Sequence, residues 1–188
     1  MKIVSVFGGS APRPGSAAYD EAVEMGRRLA EAGFIVATGG YGGVMEAASR
    51  GAAETGSHVI GVTCGLLENW REGLAANPWV KEVIKFGTLR ERLSHLVEFC
   101  DAAIALGGGI GTLSEIALTW SLMQTREIVP KPLILVGPLW RNSLGSFLEH
   151  SDGYIRPDDK MLLKFAVNTE DAMALLKPDL TGPLREDL

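Results

Sequence analysis

The 188-residue chain is expected to be an α/β protein, a single domain built on a doubly wound parallel sheet, and three observations carry that expectation. Short strand-like runs alternate with longer segments of helical period, the pattern of βαβ units. Most of the short runs are apolar nearly throughout, as strands covered by helices on both faces are. Glycine clusters follow three of the runs, at the edge where ligands bind in such sheets.

In chain order, the strands are Lys2–Phe7, Phe34–Thr38, His58–Thr63, Glu82–Phe86, Ala102–Leu106 and Leu133–Val136, with a last short one near Leu163–Val167. Helices between them cover Ser16–Ala32, Gly43–Thr55, Thr88–Cys100, Thr112–Thr125, Leu139–Glu149 and, at the end, Glu170–Leu176. Cys64–Pro78 has no clean period and contains Gly65, Gly73, Asn77 and Pro78, so it reads as a long connection at the carboxyl end of a strand. Residues 1–176 form the domain, and 177–188, with two prolines and mixed charge, a tail that frays.

Apolar residues make up 46% and charged residues 22%, the balance of an ordinary globular chain. No apolar run approaches the ~20 residues that span a bilayer, and the N-terminus enters KIVSVFGG directly, so the expected setting is cytoplasmic, away from any membrane. A net charge of −5 without a Lys/Arg cluster argues against a nucleic acid polymer as partner. Cys64 and Cys100 read as small core residues. With His58, His95 and His150 in no ligating spacing, no metal and no resident cofactor are expected.

The glycine turns are GGSAPRPGS after Phe7, TGGYGG after Ala37 and GGGIGT after Leu106. A strand that ends in glycines and turns into a helix presents backbone N–H groups at the positive end of the helix dipole, which suits phosphate. The candidate ligand-binding residues are therefore Gly8, Gly9 and Ser10; Gly39, Gly40, Gly43 and Glu46; and Gly108, Gly109, Gly111 and Thr112. A dinucleotide is disfavoured, because the second strand ends Thr38-Gly39-Gly40 without the acidic residue that fingerprint needs. The NTPase phosphate loop needs Gly-Lys, which occurs nowhere in the chain. A small, mononucleotide-type ligand is left.

The run LGGGIGTLSEIALTW resembles the PGGxGTxxE signature of the LOG family, long labelled as lysine decarboxylases. GGYGGVMEAASRGA is similar to that family's GGGxxGLMG segment, and LRERLSHLVEFCDAAIAL to its MHxRKxxMxxxxDAxIAL stretch. The resemblance implies a Rossmann-like domain, usually a homodimer, that hydrolyses nucleoside 5′-monophosphates to free base and ribose 5-phosphate. It places the catalytic arginine on Arg92, the catalytic glutamate on Glu115 and the phosphate-binding turn on Gly108, Gly109, Gly111 and Thr112. The chain departs from the pattern at Gly107 for Pro, Ile110 for Tyr, Leu93 for Lys and Glu46 for Gly. The superfamily also includes a molybdenum cofactor carrier without hydrolase activity, so a binding or carrier protein for a nucleotide-derived ligand is the alternative. Pyridoxal phosphate chemistry is disfavoured, since none of the three turns holds a lysine for a Schiff base.

Plainer roles compete for the same residues. Thr112 and Glu115 have the spacing of a capping box at an expected helix start. Arg92 lies on one border of the stripe Leu89, Leu93, Leu96, Val97 and Cys100, and Arg90 occupies the other border equally well. Glu46 and Arg50 have the spacing of an i,i+4 ion pair. Trp70, Trp79, Trp120 and Trp140 could stack a base, although Trp120 reads as packing or dimer contact.

Overall fold

The computed structural model describes residues 1–180. Its strands are β1 (Ile3–Phe7), β2 (Ile35–Thr38), β3 (Val59–Cys64), β4 (Glu82–Phe86), β5 (Ala102–Ala105), β6 (Leu133–Val136) and β7 (Leu163–Ala166). They form one sheet in the order β4-β3-β2-β1-β5-β6-β7, and every pairing is parallel. The chain works outward from β1 to the β4 edge, returns to β5 on the other side of β1, and works outward again to β7. Strand order therefore reverses between β1 and β5, where an open parallel sheet leaves its crevice.

The helices are α1 (Ala17–Glu31), α2 (Val44–Glu54), α3 (Gly65–Trp70), α4 (Leu89–Glu98), α5 (Ile110–Gln124), α6 (Pro138–Glu149), α7 (Pro157–Lys160) and α8 (Thr169–Leu180). Two cores lie on opposite faces of the sheet. On one, Val4, Val6 and Val36 meet Met25 and Leu29 of α1, Ala47 and Ala48 of α2 and Ala172 of α8. On the other, Phe7, Ala103 and Leu135 meet Leu96 of α4, Ile116 of α5 and Trp140 of α6. The near-continuous apolar strands have this cause, since both faces are covered. Helices α1 and α2 cross with their backbones in contact: a Cβ on Gly26 would lie 2.0 Å from the Ala48 carbonyl oxygen.

Local signals fix the helix that carries Arg92. Thr88 and Glu91 form a reciprocal capping box at the start of α4. At its far end Lys131 Nζ donates to the carbonyls of Val97, Glu98 and Cys100 at 2.7, 3.1 and 2.6 Å, supplying donors to carbonyls that a helix end leaves unpaired.

The structure corrects several expected boundaries. The connection after β3 is not irregular throughout, because it opens with α3, a helix of six residues that buries none of them. The short helix α7 was not anticipated. Helix α8 runs on to Leu180, so residues 177–180 continue it, and residues 181–188 lie outside the described residues. Helix α5 begins at Ile110, two residues before the expected Thr112. Among the described residues no helix is long and apolar enough to cross a membrane.

Candidate functional site

All three glycine turns meet at the carboxyl edge of the sheet, around the point where strand order reverses. The Gly9 N–H donates to the Gly107 carbonyl at 3.0 Å, and the Gly9 carbonyl accepts from the Val44 N–H at 2.9 Å. The turn after β1 is thus joined to those after β5 and β2. Gly43, the N-cap of α2, has φ of 74°, and a Cβ there would lie 2.4 Å from the Gly9 carbonyl oxygen. Only glycine satisfies both demands. Gly8 is needed for space alone, since its Cβ would lie 2.2 Å from Val44 Cγ1. Two of the turns lead straight into helices, α2 and α5. The first does not: Gly8, Gly9 and the exposed Ser10 are followed by loop to Ser16, the cap of α1, so this turn forms a wall and brace.

The α5 turn differs from the others. A Cβ on Gly109 or Gly111 would meet nothing within 4 Å, and neither residue has a positive φ. The chain's own packing therefore does not require glycine at either position, and the backbone there is open to approach. Gly109 is the N-cap, no side chain caps the helix, and its first turn has no acidic residue. The first N–H turned back into the helix is that of Leu113, to the Gly109 carbonyl at 3.0 Å. Those of Ile110, Gly111 and Thr112 precede it and have no partner among the described residues. They are the donors a helix offers an anion. Gly108 and Thr112 pack together beneath this turn, where a Cβ on Gly108 would lie 2.2 Å from Thr112 Oγ1.

The capping-box reading of Thr112 and Glu115 is overturned, because the helix starts at Ile110 and Thr112 occupies its third position. Glu115 lies in the second turn of α5, 9% exposed, and its carboxylate accepts no hydrogen bond among the described residues. Burial pushes its pKa up to about 7, against the opposing pull of the Arg92 cation. Arg92 and Glu115 are thus brought within electrostatic reach without forming an ion pair.

Arg92 is 6% exposed, whereas Arg90 is exposed, which decides between the two borders of the α4 stripe. Arg92 Nε donates to the Val62 carbonyl at 2.7 Å and Nη2 to the Gly39 carbonyl at 3.1 Å. Gly39 leaves the room this requires, since a Cβ there would lie 1.9 Å from Nη2. Nη1 has no partner among the described residues.

Two residues that sequence reasoning passed over complete the site. Asn77 braces the turn after β2: its N–H donates to the Gly40 carbonyl at 2.8 Å, and Nδ2 donates to the Gly40 and Tyr41 carbonyls at 3.1 Å each. Tyr41 is 4% exposed, with the Arg92 guanidinium carbon 5.6 Å from its ring centre. The x positions of a glycine motif gave no signal for Tyr41, and Asn77 was visible only as a turn residue beside Pro78.

Glu46 lies half-buried in the first turn of α2, where its Oε1 accepts from Tyr19 Oη at 3.4 Å. The i,i+4 pair with Arg50 that the spacing allowed does not form, since Arg50 Nε donates to Glu54 Oε1 at 2.8 Å instead. Trp120 and Trp140 are packing residues, with indole N–H groups donating to the carbonyls of Asp159 at 2.7 Å and Leu106 at 2.9 Å. Trp79 lies under Arg50, and Trp70 is exposed. Among the described residues no three His, Cys, Asp or Glu side chains are grouped to hold a metal ion.

The model of the SLOG cluster4 family matches residues 1–137. Over 179 residues the chain is 33% identical to the cytokinin riboside 5′-monophosphate phosphoribohydrolase LOG of Oryza sativa subsp. japonica, covering 93% of this chain and 72% of that protein. It is 30% identical over 182 residues to the cytokinin riboside 5′-monophosphate phosphoribohydrolase of Rhodococcoides fascians, covering 94% and 89%. Among solved structures, the molybdenum cofactor binding protein of Rippkaea orientalis superposes with a TM-score of 0.73 at 28% identity, covering 94% and 96%.

Proposed function

This chain belongs to the SLOG cluster4 family, and from that premise we propose that it hydrolyses the N-glycosidic bond of a nucleoside 5′-monophosphate, giving free base and ribose 5-phosphate. The observation that carries the proposal is Glu115: a buried carboxyl with a pKa of about 7, beside Arg92 and on the helix whose first turn has three free N–H donors. The phosphate sits on the turn Gly108–Thr112 and sets the ribose over Glu115. Breaking the bond between C1′ and the base builds positive charge on the sugar, which a carboxylate stabilises. The same group, ionised, takes a proton from the attacking water as its oxygen bonds to C1′; the electron pair of the broken C1′–N bond leaves on the base, which takes up a proton from solvent, and Glu115 later returns its own to solvent. A carboxyl that titrates near pH 7 is populated in both states where the reaction runs. Arg92 orients the nucleotide and supports departure of the base.

The test is a panel of purine and pyrimidine nucleoside monophosphates, with free base scored by chromatography and binding by thermal shift. Wild-type protein is expected to release base; Glu115→Gln is expected to bind the same nucleotide without turnover. Retained turnover in Glu115→Gln would remove Glu115 from the mechanism. One observation favours a second reading, a carrier for a nucleotide-derived ligand: the likeness to the Rippkaea orientalis binding protein. Binding by wild type without base release supports it over hydrolysis.

We place the protein in the cytoplasm, acting on a small molecule and not a nucleic acid polymer. We also propose a homodimer. Its support is α5, apolar around most of its circumference, with Ile110 and Leu113 exposed beside the phosphate turn. Light scattering is expected to give twice the chain mass, and Ile110→Lys to give the monomer.

A further inference from the structure

The two carbonyls that hold Arg92 belong to different stretches of chain. Val62 lies in β3, and Gly39 in the turn that follows β2. A guanidinium is a planar fork, so the aim of its remaining N–H groups follows the separation of those two acceptors. The sheet holds Val62 against Ile84 of β4, but the β2–β3 pairing does not reach the two acceptors. The β2–β3 register ends at Thr38↔Gly61, one residue before Gly39 and one before Val62.

Past the end of that register, Tyr41 joins the two segments. Its Oη accepts from the Cys64 N–H at 2.7 Å and donates to the Cys64 carbonyl at 3.2 Å or to Glu68 Oε1 at 3.3 Å. The turn after β2 is thereby tied to the last residue of β3, while the ring of the same tyrosine lies beside the guanidinium. Glu68, on α3, is itself paired with Lys85 of β4. Asn77 braces the same turn, but its side-chain hydrogen bonds go to Gly40, Tyr41 and Trp79.

We propose that Tyr41 is the positioning residue for Arg92, fixing the separation of the Val62 and Gly39 carbonyls and so aiming the guanidinium at Glu115 and the ligand. The inference rests on the assignment of Arg92 and Glu115 to the reacting site. Its test is independent of turnover: titration of glutamate carboxyls by NMR in the full ligand-free chain labelled with 13C, the Glu115 signal being assigned by its loss in Glu115→Gln. Arg92 is the charge that lowers the Glu115 titration. In Tyr41→Leu, which loses both ring and hydroxyl, the Glu115 midpoint is expected to rise by about half a pH unit, roughly threefold in proton affinity. Tyr41→Phe keeps the ring and cuts the tie, and its rise is smaller. With nucleotide, kcat of Tyr41→Leu falls about ten- to a hundredfold, as a misplacement of about 1 Å does. KM changes by less than kcat, because the phosphate turn on α5 is untouched.

A folded Tyr41→Leu chain with the wild-type midpoint overturns the proposal, even if kcat falls. Should Tyr41→Leu not fold, a wild-type midpoint in Tyr41→Phe overturns it. If wild-type protein releases no base from any nucleotide, hydrolysis fails as a function while the titration still decides the role of Tyr41.

Discussion

Glu115 costs the fold stability, and its pKa says in which pH range. Its ordinary value is 4.5 and its folded value about 7. Below 4.5 the carboxyl is protonated in folded and unfolded chains alike. As pH rises from 4.5 to 7 the unfolded chain releases the proton first, so stability falls, and above 7 the full cost is in place, about 3 kcal/mol. Without ligand, Glu115→Gln is therefore expected to be more stable than wild type by about 3 kcal/mol at pH 8, with the gap narrowing as pH falls from 7 and closed below pH 4.5. Urea denaturation across that range measures it; a wild-type chain that is the more stable at pH 8 contradicts the burial argument. The identity of Glu115 as a candidate came from its place in a motif. Its environment was hidden, because spacing from Thr112 suggested a cap, and only the earlier start of α5 at Ile110 frees the carboxyl. Arg92 was legible as far as the border of a stripe. That Arg92 turns inward and Arg90 outward depends on Val62 and Gly39, distant in sequence from α4.

The glycine turns divide by what demands the glycine, and substitutions separate the two kinds. Gly43→Ala places a side chain at left-handed φ and against the Gly9 carbonyl, and is expected to lower stability by about 2 kcal/mol or more. Gly109→Ala and Gly111→Ala meet no chain atom, and should leave stability within about 0.5 kcal/mol while weakening nucleotide monophosphate binding about tenfold or more, as loss of close approach to a phosphate implies. Thermal unfolding beside calorimetric titration reads both effects. Equal affinity in Gly109→Ala and wild type would take the phosphate off this turn. The inner strands were legible almost to the residue because burial on both faces leaves them apolar, whereas the exposed edge strand β4 was legible from its β-branched and aromatic residues Val83, Ile84 and Phe86. Helix α3 was not, since a six-residue helix that buries nothing has no period to detect. Four-residue α7 was too short for one as well, and the connection to Asn77 concealed a brace whose acceptors lie in the turn after β2.

At the scale of the whole molecule, the reversal of strand order between β1 and β5 brings the turns after those strands side by side, with the turn after β2 next to them. Alternating strand and helix signals announce such a sheet but not its strand order, so the three turns could be placed on one edge but not against each other. In the folded chain they converge on Gly9, which donates to the turn after β5 and accepts from the first residue of α2. Three loops that share one residue's polar groups cannot wander independently, and most of their conformational entropy is lost when the protein folds. A ligand entering the cleft finds its donors already ordered, so little further ordering is subtracted from the energy of its contacts.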